Sequence, residues 1–500
     1  MKRAEHLELG INPRPEGGTL QRWLYSELRT AILSGHIAPG RRLPSTRDLA
    51  RQQGISRGTL LTVYEQLIAE GYLTGIAGSG TTVVHSLPTL PQEKLSASIS
   101  GQFQPPLSRQ GELLAQSPFP RHEAGTPAKP FRPNQPDLRA FPLSLWNKLT
   151  HRCSKHTEAE TIGYGEAAGY RPLRQAIAEH LRFSQRIDCN AEQVMILSSA
   201  QQALDICARL LLNTGDAALV EDPGYPGASR IFELMGARIV GAPVDQVGLC
   251  TEPPLHISPD FRLAYITAAH HSPLGGTLPV ERRLALLAWA EACNATIIED
   301  DYDSEFRYDG SPLSALKSLD RSNRVIYMGT FSKLLFPSLR LAYVVVPDWL
   351  VDPFASALSL TCRHTPVLMQ RVLSLFIAEG HFARHLRQMR LLYGERAEIF
   401  QQACQAQLEG LLSVLPITTG LDATAILPAK ADDRAVSIAL GQKGIEARPI
   451  SFYSLQQPAP PGLVLGFSAF EAEALRHGVS AMAPVLEASL RGSLSQANAE

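Results

Sequence analysis

The chain has 500 residues, with 47 Lys and Arg against 48 Asp and Glu for a formal net charge of -1, and 44% of its side chains are apolar against 19% charged. At about 150 residues per domain this length predicts roughly three structural units. The apolar share excludes a disordered chain, and the near-zero charge excludes a protein whose whole surface coats nucleic acid or an anionic membrane. The cysteines at 153, 189, 207, 250, 293, 362 and 404 form no Cys-x-x-Cys pair, and no His cluster stands at ligand spacing, so neither a disulfide framework nor a metal site is expected. Met1–Glu8 has no apolar run behind its basic residues, and no stretch of about 18 apolar residues occurs, which predicts a cytoplasmic protein with reduced thiols.

In chain order, Leu24, Leu28, Ala31 and Ile32 recur at helical spacing, with Gly35 as a stop. Ser45 then stands as an N-cap with Asp48 three residues on, and Gly54 closes a second helix. Ser56 caps a third, whose apolar stripe is Leu60, Val63, Tyr64 and Leu67. These elements predict a helix-turn-helix. Tyr72–Thr74, a Gly-rich turn through Gly78 and Thr81–Val84 predict a hairpin wing, giving a head over residues 15–84. Within Arg41–Arg57, five arginines (41, 42, 47, 51 and 57) face only Asp48, so positive charge collects on the helical pair. Ser56, Arg57, Gly58 and Thr59 open the third helix, where base contacts are made in such motifs. Arg57 suits a guanine edge, Gly58 a close backbone approach, and Gly78 a minor-groove wing tip. Five arginines on a short helical pair also read as an ordinary solvated face.

Residues 85–130 hold prolines at 88, 91, 105, 106, 118, 120, 127 and 130, a density that predicts a structureless linker. Beyond it, β-branched runs at 194–197, 218–220, 263–267, 296–298, 325–328 and 341–346 alternate with helical patterns. That alternation predicts a mainly parallel sheet covered on both faces, with ligands at the carboxyl ends of its strands. After about residue 366 a smaller α+β domain is expected, and residues 491–500 read as a disordered tail.

Several residues of this body carry chemistry. Lys333 follows a strand end and is flanked by Ser332 and, downstream, Arg340, as suits an amine beside a phosphate. Alone, a lysine next to serine also reads as a solvated loop residue. Asp300 follows an apolar strand, where a buried carboxylate pairs a pyridine nitrogen; the alternatives are a helix cap or a metal ligand. Ser199, Ala200 and Gln201 open a helix after a strand, an anion site in waiting. Tyr225, in Asp222-Pro223-Gly224-Tyr225-Pro226, is placed to stack on a planar ring or simply to pack at a loop.

Two sets of motifs carry a resemblance. Leu43-Pro44-Ser45-Thr46-Arg47-Asp48-Leu49-Ala50, Ile55-Ser56-Arg57-Gly58-Thr59, Val63-Tyr64-Glu65-Gln66-Leu67 and Gly71-Tyr72-Leu73 resemble the winged helix of GntR-type bacterial transcription regulators. Tyr164–Arg174, Glu221–Gly227, Glu299–Tyr308 and Thr330–Lys333 resemble fold-type I pyridoxal-phosphate enzymes, the aminotransferases in particular, over residues 131–490. Together the chain resembles the MocR/GabR subfamily. The fold class this implies is α/β: an N-terminal winged helix-turn-helix joined to an aminotransferase-like body with a parallel-rich sheet and a smaller α+β domain. The resemblance places Arg47, Arg57, Thr59 and Gly78 at operator DNA. It makes Lys333 the Schiff-base lysine for pyridoxal 5'-phosphate, pairs Asp300 with the pyridine nitrogen and Tyr302 with the phenolic oxygen, and stacks Tyr225 on the ring. Ser199, Ala200, Gln201, Ser332 and Arg340 surround the phosphate, with Tyr164 supplied by the partner chain of a homodimer.

Val464 stands where many aminotransferases carry the arginine that grips an α-carboxylate, which weakens ordinary transamination. Arg448 and Arg307 are the candidate replacements, and each also reads as an ordinary ion pair. The resulting expectation is a pyridoxal-phosphate-dependent transcription regulator that senses a small amine, an amino acid or the cofactor itself. Its rival is an aminotransferase with an accessory DNA-binding head.

Overall fold

The computed structural model describes residues 19–76, 80–85, 106–119, 128–155, 163–252, 255–309, 314–456 and 459–497, with the side chains of 492–497 excepted. The chain divides into two units, Met1–Pro106 and Leu107–Glu500.

In the first unit, α1 (Leu20–Leu33), α2 (Thr46–Gln53) and α3 (Arg57–Ala69) precede β1 (Leu73–Ile76) and β2 (Gly80–Val83). Leu24, Leu28 and Ile32 of α1 close a core with Leu49, Leu60, Val63 and Leu67. Local chemistry fixes the helix ends. The Ser45 Oγ accepts from the Asp48 amide at 3.2 Å and donates to Asp48 Oδ2 at 2.6 Å, and Gly54 takes the left-handed conformation (φ 66°) that stops α2. The Ser56 Oγ accepts from the Thr59 amide at 3.1 Å and starts α3. β1 and β2 pair antiparallel as a hairpin. Gly78 lies outside the described residues.

The second unit begins earlier than composition indicates. Helix α4 (Arg109–Ala115) is capped by Ser108 and lies inside the span read as a structureless linker. Gln110 Nε2 donates to the Leu234 carbonyl at 3.1 Å, which ties α4 to the helix Pro226–Leu234. The prolines lie on either side of Arg109–Gln116, which contains none, so a two-turn helix forms between them.

The main sheet has eight strands in the order β3 (Val194–Leu197), β10 (Ala342–Val345), β9 (Val325–Thr330), β8 (Thr296–Asp301), β7 (Phe261–Ile266), β4 (Ala217–Asp222), β5 (Arg238–Asp245) and β6 (Gly248–Leu249). β9, β8, β7, β4 and β5 run parallel. β10 runs antiparallel to both neighbours, so β3 again points the same way as β9. Every residue of β3, β4, β9 and β10 is buried, as expected of strands sandwiched between helices. Their apolar runs are therefore nearly continuous.

The smaller domain is a four-stranded antiparallel sheet, β11 (Ser413–Val414), β12 (Asp422–Ile426), β14 (Gly462–Gly466) and β13 (Arg448–Pro449), contacted by the helices His381–Gln407 and Asp433–Gln442, both of which pack against the helix Ala472–Ala497. The last of these helices runs on through the expected tail as far as Ala497. No proline follows Pro484 to end it, and Arg491 pairs with Glu487 one turn back at 3.4 Å. Among the described residues no helix is long and apolar enough to cross a membrane.

Candidate functional site

Because β3, β4, β7, β8 and β9 all run the same way, their carboxyl ends meet at one edge of the sheet, where ligands bind in such folds. Each end delivers part of one cavity of about 360 Å3. β3 leads to Ser199, Ala200 and Gln201, β4 to Tyr225, β7 to Thr267, β8 to Asp300 and Tyr302, and β9 to Ser332 and Lys333. Arg340 joins them from the turn before β10, with its backbone left-handed (φ 52°). The volume is at the low end of the range for small-molecule pockets, about 300–1,000 Å3.

Thr330 begins the short helix Phe331–Leu334 by accepting from the Ser332 amide at 3.2 Å, and this turns Lys333 into the cavity. The Lys333 Nζ donates to the Asn134 carbonyl at 3.0 Å. Burial lowers the ammonium's pKa below its ordinary value, despite the nearby carboxylates of Asp422, Asp303 and Asp300. Asp300 is 6% exposed. Its Oδ2 accepts from the Tyr265 hydroxyl at 2.7 Å, while Oδ1 is buried with no hydrogen-bond partner. Desolvation pushes the Asp300 carboxyl up to about 7. A buried carboxylate oxygen left unpaired costs on the order of 1–3 kcal/mol or more, so this position favours a donor arriving from the cavity.

Ser199 caps the helix Ala200–Leu211 by accepting from the Gln202 amide at 3.1 Å. Ala200 and Gln201 line the cavity at the positive end of that helix. Tyr225 lies between two other rings, 6.2 Å from Tyr265 and 5.9 Å from Phe119. Tyr302 lines the cavity with its hydroxyl 3.2 Å from His270 Nδ1, and its ring stacks on that imidazole at 5.5 Å. His270 Nδ1 also meets Asp303 Oδ1 at 2.7 Å. Burial opposes protonation of His270, but the Asp303 carboxylate outweighs it and raises the imidazole's pKa. Gly420 (φ +87°) is required beside this pair, since a Cβ there would sit 2.1 Å from His270 Cε1.

The cavity thus gathers every residue expected around a cofactor except Tyr164. That side chain is 88% exposed, beside His364 and under the Arg363 guanidinium, and does not line the cavity. Sequence reasoning missed Phe119, Asn134, Gln135, Tyr265, Thr267, Phe452 and Tyr453, which line it too. Phe119, from the proline-rich span, carries no local signal of its place in a cavity wall. Tyr265 and Thr267 were within reach, at the carboxyl end of a recognised strand. Arg448 also lines the cavity, whereas Arg307 does not and donates to Thr277 Oγ1 at 3.2 Å.

On the head, Arg47, Ser56, Arg57 and Gly58 are exposed and Thr59 is half-buried. The Ser56 and Thr59 hydroxyls lie 2.8 Å apart and serve the cap, while the exposed Arg47 and Arg57 make no ion pair among the described residues. Leu61, one turn on from Arg57, is 45% exposed.

Residues 20–83 match the bacterial regulatory proteins of the gntR family, and residues 140–481 match aminotransferase class I and II. The chain is 39% identical over 93% of its length to the "Probable rhizopine catabolism regulatory protein MocR" of Rhizobium meliloti, covering 93% of that protein. It is 32% identical to the HTH-type pyridoxine biosynthesis transcriptional regulator PdxR of Corynebacterium glutamicum, over 94% of this chain and 96% of that one. Among solved structures, the kynurenine aminotransferase of Pyrococcus horikoshii superposes with a TM-score of 0.67 at 24% identity, covering 73% of this chain and 92% of that one, a likeness of fold. With a gntR-type head, a class I and II aminotransferase body and relatives matched nearly end to end, the chain belongs to the MocR subfamily of GntR transcription regulators.

Proposed function

We propose that this chain is a cytoplasmic, homodimeric regulator that grips operator DNA through Arg47 and Arg57, holds pyridoxal 5'-phosphate at Lys333, and changes its operator affinity when a small amine or amino acid enters the cavity. The observation that carries the cofactor reading is the unpartnered Oδ1 of buried Asp300, in the same cavity as a desolvated lysine and a helix N-terminus. These are the counterparts a protonated pyridine nitrogen, an aldehyde and a phosphate need. When bound, pyridoxal phosphate supplies a carbonyl that condenses with amines, conjugated to an electron-accepting ring.

The chain's own residues do the rest. Asp300 Oδ1 would accept a hydrogen bond from a protonated ring nitrogen, a pairing that favours the charged carboxylate, while the Tyr265 hydroxyl donates to the other oxygen at 2.7 Å. The amides of Ala200 and Gln201 and the Arg340 guanidinium offer donors for phosphate. Tyr225 presents its ring to the cavity, and Tyr302 is held by His270 and Asp303 behind it. Exposed Tyr164 belongs in this reading to the partner chain's site. Sensing rather than turnover is favoured by Phe119. The segment leading from the head stands against Tyr225, so a ligand that moves Tyr225 acts directly on that segment. The shift it produces can be no larger than its differential binding to the two states.

Borohydride reduction of the cofactor-loaded chain followed by peptide mapping tests this reading. The expected result is one modified peptide, at Lys333. Selection of genomic duplexes should recover specific sites whose retention Arg57→Ala abolishes. Repeated turnover with a keto-acid acceptor and no sequence-specific DNA retention would replace the regulator with an aminotransferase.

A further inference from the structure

The cavity contains a cation to which the cofactor reading assigns no role. Arg448, on the two-residue strand β13, lines the cavity from the small-domain side, remote in sequence from the Ser199–Gln201 turn and from Ser332. Its guanidinium lies 5.1 Å from the centroid of the Phe452 ring and beside the Tyr453 hydroxyl. Among the described residues it makes no ion pair, whereas cavity-remote arginines such as Arg396 and Arg282 are paired with Asp137 at 2.8 Å and Asp245 at 2.6 Å. A half-buried guanidinium held over an aromatic face and by one hydroxyl has its plane fixed and, of its five N–H donors, keeps several for a further partner, as arginine needs to bind a carboxylate through two parallel hydrogen bonds.

Register explains how it comes to face the cavity. Arg448 pairs directly with Val464 of β14, so the two side chains share one face of the sheet. Val464 is buried there with Leu274, Ile450 and Tyr453 and offers no polar atom. Arg448 is thus the cation of that wall. It also stands close enough to Lys333 to oppose the charging of that amine, an unfavourable pairing that an anion between them would relieve.

We propose that Arg448 is the anion-gripping residue of this cavity and that the effector is a small amine bearing a carboxylate, a specificity that rests on the amine-responsive reading above. The amine end is directed to the Lys333 side and the carboxylate to Arg448. Phe452 holds the guanidinium plane, and buried Val464 packs beside Arg448 on the neighbouring strand.

The test uses the full-length chain loaded with pyridoxal phosphate and follows its visible absorption band during titration with two matched pairs, L-alanine with L-alaninamide and β-alanine with β-alaninamide. Within at least one pair the wild-type chain should bind the acid at least ten-fold more tightly, relative to the amide, than Arg448→Gln does. Comparing ratios between variants cancels the different basicities of acid and amide. Arg448→Lys should keep part of the preference, and the double variant Arg448→Gln/Val464→Arg should regain it from the neighbouring strand. Both variants must retain the absorption band, which shows that the cavity is intact. If acid and amide titrate alike in the wild type, or if Arg448→Gln keeps the full preference, the assignment of Arg448 fails while amine sensing stands. If no amine moves the band of the wild-type chain, sensing and the assignment fall together.

Discussion

The head and the body place their chemistry in opposite ways. In the head, Arg47 and Arg57 stand exposed on helices whose ends are set by neighbours three residues away, Ser45 with Asp48 and Ser56 with Thr59. In the body, Lys333, Asp300, Tyr225, Phe119 and Arg448 come from positions more than 300 residues apart and meet in one largely buried cavity. A surface that reads DNA draws its energy from solvent-facing charge and tolerates loose support. A site that holds a charged small molecule needs desolvation, and desolvation needs a completed fold. Local sequence therefore specifies the first well and the second only in part.

This contrast can be broken at several points. The largest effect is expected from Lys333→Ala, which should leave nothing for borohydride to fix while the head still retains DNA in a filter-binding assay. Label persisting elsewhere in the chain would end the assignment. Arg57→Ala comes next. Losing one base-reading arginine costs about 1–3 kcal/mol, or roughly five- to more than a hundred-fold in operator affinity, and should leave the cofactor's visible band unchanged.

Asp300 gives a pH signature in the cofactor-free chain. Its carboxyl is raised from 3.8 to about 7 by burial, so between these values the folded chain holds a proton that the unfolded chain has released. Stability therefore falls as pH rises through this window, by about 2 kcal/mol between pH 5.5 and 8 from this group. Thermal unfolding should show a midpoint that drops across that range, and Asp300→Asn should flatten the drop by that share. An unchanged slope in the variant would mean that Asp300 is already charged in the folded chain. The smallest effect belongs to Ser45→Ala, which removes the cap of α2 and should lower the stability of the head by about 1 kcal/mol, read as a shift of its own unfolding transition without change in the body.

What could be read from the sequence follows the same division. The three head helices, the Ser45 and Ser56 caps and six strands of the main sheet were legible because apolar period and capping residues act over a few positions. β5, Arg238–Asp245, escaped notice, for Gly241 and Pro243 interrupt its apolar pattern and its pairing with β4 supplies the missing support. Lys333, Asp300 and the Ser199 turn were legible since each lies at or just beyond the carboxyl end of a strand. Phe119 and Asn134 were not. The first carries no motif, and the second acts through its backbone, whose carbonyl meets Lys333 and whose amide donates to Asp422 at 2.7 Å. Arg448 was visible only as one of two alternatives, and only the folded cavity separates them, since Arg448 lines it and Arg307 does not.

The small helix Arg109–Ala115 and the phenylalanine that follows it change where the body can be cut. A fragment starting at Phe131, the boundary that proline density points to, would strip Phe119 from the cavity wall and leave the Leu234 carbonyl without its Gln110 donor. One starting at Leu107 keeps both. Limited proteolysis that pares the chain to the first of these end points should therefore yield a body that holds added pyridoxal phosphate less tightly, even though every residue proposed to bond that ligand is still present.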